Sequence, residues 1–282
     1  MAEMGNEIKI NIQPFVETIA NAALGNGVVT QSGFDFIAER GDKHLIVIAA
    51  VPKSGSTFLS NSLCRLTSYP YFRLTSGYGS NEHDLYLPAL CMINPYGCVS
   101  QLHMKGTFHN AAHLNTFGVR PVILVRQIDD IVVSLVQDLR NKESLPGYGI
   151  GQNGYSFIWQ DEDVRCLSDE QLTDMIIDLA IPWFVNFYVS WYRLCEQGVV
   201  EALWVTYENM MAGKAETLKE ILQFVGFHHD GKFDESILHM KYSTYRDSRI
   251  NRGAEILSDT QKERIRQHFT HYRGVDFGKY GI

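Results

Sequence analysis

The hydrophobic positions fall into short unbroken runs separated by stretches of helical period. LIVIAAV at residues 45–51 is apolar at every position and rich in β-branched side chains. That is the pattern of a strand buried on both faces. Pro52 ends it, and a helical pattern follows over about residues 56–66. VILV at 122–125 repeats the unit. It stops at Arg126, and Ile131, Val132, Leu135 and Val136 then recur at helical spacing. Asp129 and Asp130 open that helix, where acidic side chains suit the dipole. ALWVTY at 202–207 reads as a third strand, and residues 214–225 as an amphipathic helix. Residues 168–197 form a long helical pattern that Pro182 kinks or divides. Ser258 is placed to N-cap a last helix over 258–268.

Strands alternating with helices predict an α/β fold, with a central parallel sheet flanked by helices on both faces. Ligands of such sheets bind at the carboxyl ends of the strands. The three runs end in Lys53, Arg126 and Tyr207, each able to contact a ligand. Residues 1–43 read as a leader with one helical stretch at 14–24, broken by Gly25-Asn26-Gly27. Residues 44–282 read as a single domain. Within it, 141–168 is rich in Gly, Ser and aromatic residues and reads as a long loop beside the acceptor site.

Composition narrows the function. At 282 residues, with 45% hydrophobic and 20% charged, the chain is neither disordered nor fibrous. A net charge of −7 disfavours general nucleic-acid binding, so an anionic ligand needs a local cluster of donors. The five cysteines are odd in number and hold no CxxC pair, which indicates neither a disulfide framework nor a zinc site. No basic segment precedes an apolar run at the N-terminus. The apolar stretch at 179–194 is interrupted by Pro182, Asn186, Ser190 and Arg193 and is too short to span a bilayer. A cytoplasmic protein with no membrane partner is expected.

The sharpest chemical signal is VPKSGSTF at residues 51–58, between the first strand and its helix. Gly55 removes side-chain bulk, so backbone N–H groups can close around an anion. The helix N-terminus adds unpaired donors and partial positive charge. Ser54, Ser56 and Thr57 add hydroxyls, and Lys53 a full charge. This is a phosphate cradle. It is not a Walker A loop, because Lys53 precedes the glycine instead of following it.

The segment resembles the 5′-phosphosulfate loop of the sulfotransferases that use 3′-phosphoadenosine 5′-phosphosulfate (PAPS). The resemblance implies a P-loop-like three-layer fold and a single sulfotransferase domain over 44–282. It also implies that Lys53 reaches the bridging oxygen of the phosphosulfate. Ser54, Gly55, Ser56 and Thr57 would bind the 5′-phosphate, and Phe58 would lie against the adenine. The family carries an Arg at a strand end and a Ser eight residues later, both on the 3′-phosphate. Arg126 and Ser134 match that spacing, and an arginine gives bidentate phosphate contacts. WVTYENM at 204–210 resembles the family segment whose Tyr, here Tyr207, contacts the nucleotide. Arg252-Gly253 resembles a reduced form of the loop that closes on the 3′-phosphate, with Arg246 and Arg249 as substitutes. PAPS is then the donor, PAP the product, and no metal is needed.

Sulfuryl transfer needs a base for the acceptor proton, and His is suited to that task. The family places one a little over twenty residues before the 3′-phosphate Arg. His103 lies at that distance from Arg126, at a strand end by pattern. Glu82, in the polar cluster Glu82-His83-Asp84, is the second candidate. Lys53 stabilises charge on the leaving oxygen. Plentiful aromatics and the absence of a basic groove point to a small phenol, alcohol or amine as acceptor, of the kind found among secondary metabolites. Two other readings stay open: a P-loop kinase-like transferase, and a non-catalytic nucleotide-binding protein on the same fold.

Overall fold

The structure, a computed structural model, describes residues 43–76, 82–142, 166–228, 235–239 and 250–280. The expected helix at 14–24 and residues 143–165 of the expected loop lie outside them, as do Arg246 and Arg249. Four strands form one parallel sheet: β1 (Leu45–Ala50), β2 (Cys98–Leu102), β3 (Val122–Val125) and β4 (Leu203–Thr206). Their spatial order is β2-β1-β3-β4. Leu45 pairs with Cys98, Ile48 with Val122, and Val122 with Leu203. The chain steps from β1 to β2, then returns past β1 to β3, so the winding reverses between β1 and β3. A crevice opens at the carboxyl ends of the strands at such a switch point.

The helices are α1 (Ser56–Thr67), α2 (Leu87–Ile93), α3 (Phe108–Thr116), α4 (Ile128–Lys142), α5 (Asp169–Leu179), α6 (Ile181–Glu196), α7 (Tyr207–Ala212), α8 (Lys214–Phe224), α9 (Arg252–Ile256) and α10 (Asp259–Phe269). They make two layers. Leu45, Val47 and Ala49 of β1 face a core filled by α2 to α6 and α10. Ile46, Ile48 and Ala50 face a second core filled by α1, α7 and α8. Side chains of a strand alternate between faces. Two apolar faces therefore require the continuous apolar run read in the sequence, and every residue of β1 and β3 is buried.

The long helical pattern divides as expected. α5 stops at Ala180, and Pro182 sits in the first turn of α6, where a missing N–H costs nothing. Trp183, Phe184, Phe187 and Trp191 of α6 are all buried, so the most apolar stretch of the chain is core. Ser168 and Ser258 form capping boxes with Gln171 and Gln261. One boundary differs. Tyr207 does not end the third predicted strand; it opens α7, because the Thr206 side chain accepts from Asn209 N–H and caps a helix there.

Candidate active site

The carboxyl edge of the sheet carries, from β2 to β4, His103, the loop with Lys53, Arg126 and Tyr207. The loop between β1 and α1 takes left-handed backbone at Lys53 (φ 68°) and Gly55 (φ 84°). Such a conformation is free for Gly and strained for Lys. The buried Ser54 hydroxyl donates to the Val51 carbonyl at 2.7 Å and holds the turn from inside. No side chain among the described residues caps α1 at Gly55, so its first-turn N–H groups face the crevice with the dipole behind them. A Cβ on Gly55 would come within 2.9 Å of Met210 Cε and Tyr207 Cδ2. Glycine is therefore required by packing as well as by φ.

Arg126 lies against this loop. Its guanidinium donates to the Lys53 carbonyl at 3.0 Å and sits 4.1 Å over the Tyr207 ring. Tyr207 is thus wedged between Gly55 and Arg126. Glu208 accepts from Gln127 N–H at 3.1 Å and ties the tip of β4 to that of β3.

One face of α4 organises the cations. Asp130, Ser134, Gln137 and Asp138 fall at i, i+4, i+7 and i+8, on one side of the helix. Lys53 Nζ donates to Asp138 at 2.9 Å, with both side chains largely buried. Arg126 faces Asp130 at 3.5 Å. Arg252 donates to Gln137 at 3.0 Å. Gly253 N–H donates to Asp130 at 2.8 Å. Ser134, partly buried, sits between these contacts. Lys53, the Arg126–Ser134 pair and Arg252 come from three distant parts of the chain and are brought together. Phe58 is partly buried on α1, with Lys214 Nζ 5.0 Å from its ring centroid.

His103 follows β2. Its Nδ1 lies 2.7 Å from the Ala50 carbonyl. A carbonyl only accepts, so Nδ1 carries the proton and Nε2 the lone pair. The His103 N–H donates to His83 Nδ1 at 2.9 Å, and the two rings stack with centroids 5.6 Å apart. Burial pushes the His103 pKa down to about 4; the Ala50 bond opposes this, while His83, Arg73 and Lys53 add positive charge nearby. The ring is neutral at neutral pH. Glu82 is exposed and accepts from Lys105 Nζ and from Trp183 Nε1 at 3.2 Å. Partial burial raises its pKa, but the bond and charge of Lys105 and the Trp183 bond prevail and lower it. That makes it a weaker base than an ordinary carboxylate.

Asp130, Asp138, Glu208 and His83 were missed as site residues. For the first two a signal existed: carboxylates spaced four residues either side of Ser134 on one helix face. For His83 and Glu208 no local pattern announces a tertiary partner.

Among curated proteins, none matches this chain in sequence. Among solved structures, a complex of mouse sulfotransferase SULT7A1 with PAP is similar. Its TM-score is 0.56 at 14% identity, over 84% of this chain and 86% of that one. The sulfotransferase domain family matches residues 43–279. The chain belongs to the sulfotransferase domain family.

Proposed function

We propose that this sulfotransferase moves the sulfuryl group of PAPS to a hydroxyl or amine of a small molecule. The observation that supports this most is the convergence of Lys53, Arg126, Ser134 and Arg252 on the uncapped start of α1 and one face of α4. Three cations and a row of backbone donors suit a ligand with phosphates at two ends. In this reading the helix start takes the 5′-phosphosulfate, while Arg126, Ser134 and Arg252 take the 3′-phosphate.

Transfer is an in-line displacement. The acceptor oxygen or nitrogen attacks sulfur, and the bond from sulfur to the bridging oxygen breaks. His103 Nε2 takes the acceptor proton. Lys53 leaves Asp138 and stabilises the charge on the departing phosphate oxygen. An anionic nucleotide offsets the positive neighbours of His103 and raises its basicity in the complex. In this reading the phosphate is a good enough leaving group that Lys53 suffices to stabilise it. Glu82, already bonded to Lys105 and Trp183, is the weaker choice of base.

The test is a screen of phenols, alcohols and amines with sulfur-labelled PAPS. Labelled product from the wild type, and about 10²–10³-fold less from Lys53→Ala, is the expected result. Tight binding of PAP without transfer to any acceptor would favour the non-catalytic reading.

A further inference from the structure

Asp130 has more to do than begin a helix. Its carboxylate is 1% exposed and 3.5 Å from the Arg126 guanidinium. The same carboxylate accepts from Asn251 N–H at 3.0 Å and from Gly253 N–H at 2.8 Å. One buried anion therefore joins the tip of β3 to a segment more than a hundred residues further along the chain. The junction is tight. Asn251 takes left-handed backbone (φ 64°), and a Cβ on Gly253 would come within 2.4 Å of the Asp129 backbone. Between Asn251 and Gly253 lies Arg252, 8% exposed and bonded to Gln137 two turns further along α4.

We propose that Asp130 is a positioning residue: it fixes Arg126 and the Asn251–Gly253 turn as one unit, so that two guanidinium groups are aimed at a single 3′-phosphate. It does not touch the nucleotide. It sets the preference for a nucleotide phosphorylated at the 3′ position. Arg126 alone would be a single cation at a strand end. Arg252 alone would hang on a short helix held by one turn. Bidentate recognition of a phosphate needs donors in fixed relative orientation, and the shared carboxylate supplies it. This rests on the nucleotide reading given above.

The ratio of affinities for adenosine 3′,5′-bisphosphate and adenosine 5′-phosphate, measured by calorimetry, is the test. Both ligands use the α1 loop, and only the first uses the 3′ end. Asp130→Asn is expected to weaken the bisphosphate about tenfold or more, and to change the monophosphate about threefold at most. A general loss of structure would weaken both alike. Gly253→Ala disturbs the same junction from the other side with Asp130 intact, and is expected to lower the same ratio. It keeps the test open if Asp130→Asn folds poorly. Variants that fold and keep the wild-type ratio, or lose both affinities equally, overturn the proposal. A wild type with no preference for the bisphosphate overturns the nucleotide reading and this inference with it.

Discussion

Lys53 combines three demands in one residue. Its backbone is left-handed, its carbonyl accepts from Arg126, and its ammonium is held by Asp138. Backbone strain of this kind costs about 1–3 kcal/mol and persists where neighbours enforce it. Here the two contacts do so. Lys53→Ala removes the ammonium with its stem and breaks the bond to Asp138. It is expected to lower kcat about 10²–10³-fold, with a smaller change in PAP affinity, measured by steady-state kinetics and calorimetry. His103 gives a second prediction at this scale. Its folded pKa, about 4, lies below the ordinary 6.5. Between these values the unfolded chain binds more protons than the native protein, so this contribution to stability falls as pH drops from 6.5 to about 4. Denaturant titrations across that window should show a flatter acid dependence for His103→Gln than for the wild type.

The β1–α1 unit does with geometry what its sequence does with residue choice. An apolar run long enough to cross the sheet, a stop at Pro52 and a glycine at the helix start place donors at the crevice. Among the described residues, no side chain caps the helix at Gly55. α5 and α10, by contrast, close their first turns with Ser168 and Ser258. A capped start is a structural end; an uncapped start at the carboxyl edge of a sheet has donors left for a ligand. Gly55→Ala tests the element. At φ 84° and with Met210 and Tyr207 within 2.9 Å of the new Cβ, it is expected to cost about 1–3 kcal/mol. It should also abolish stabilisation by PAP. Thermal melts with and without the nucleotide measure both effects.

At the scale of the whole molecule, the nucleotide reading makes the site a ligand-linked part of the fold. Sequence-distant elements meet there: the β1 loop, the β3 tip with α4, the β4 tip, and α9. A ligand that bridges them binds the native state and not the unfolded one. At a free concentration near 100 times its Kd, PAP is expected to add about 2.7 kcal/mol to stability. Differential scanning calorimetry should show the melting temperature rising with PAP, while ATP with Mg²⁺ leaves it unchanged. The reverse result would favour the kinase-like alternative.

How far the chain could be read differs between fold and site. The strands at 45–51 and 122–125, the break at Pro182, the cap at Ser258 and the loop around Gly55 are local. Periodicity, β-branching, turn chemistry and capping act over a few residues, so the sequence states them directly. The spacing of Arg126 and Ser134 is local too, because one helix carries both. The order β2-β1-β3-β4 and the meeting of Lys53 with Asp138 are not local. Nor is the seating of Asn251–Gly253 on Asp130. These depend on how two apolar faces of one sheet are covered, and on which polar groups must then find partners out of water. The sequence by itself determined which residues could hold an anion; only the packed sheet decided which of them lie together.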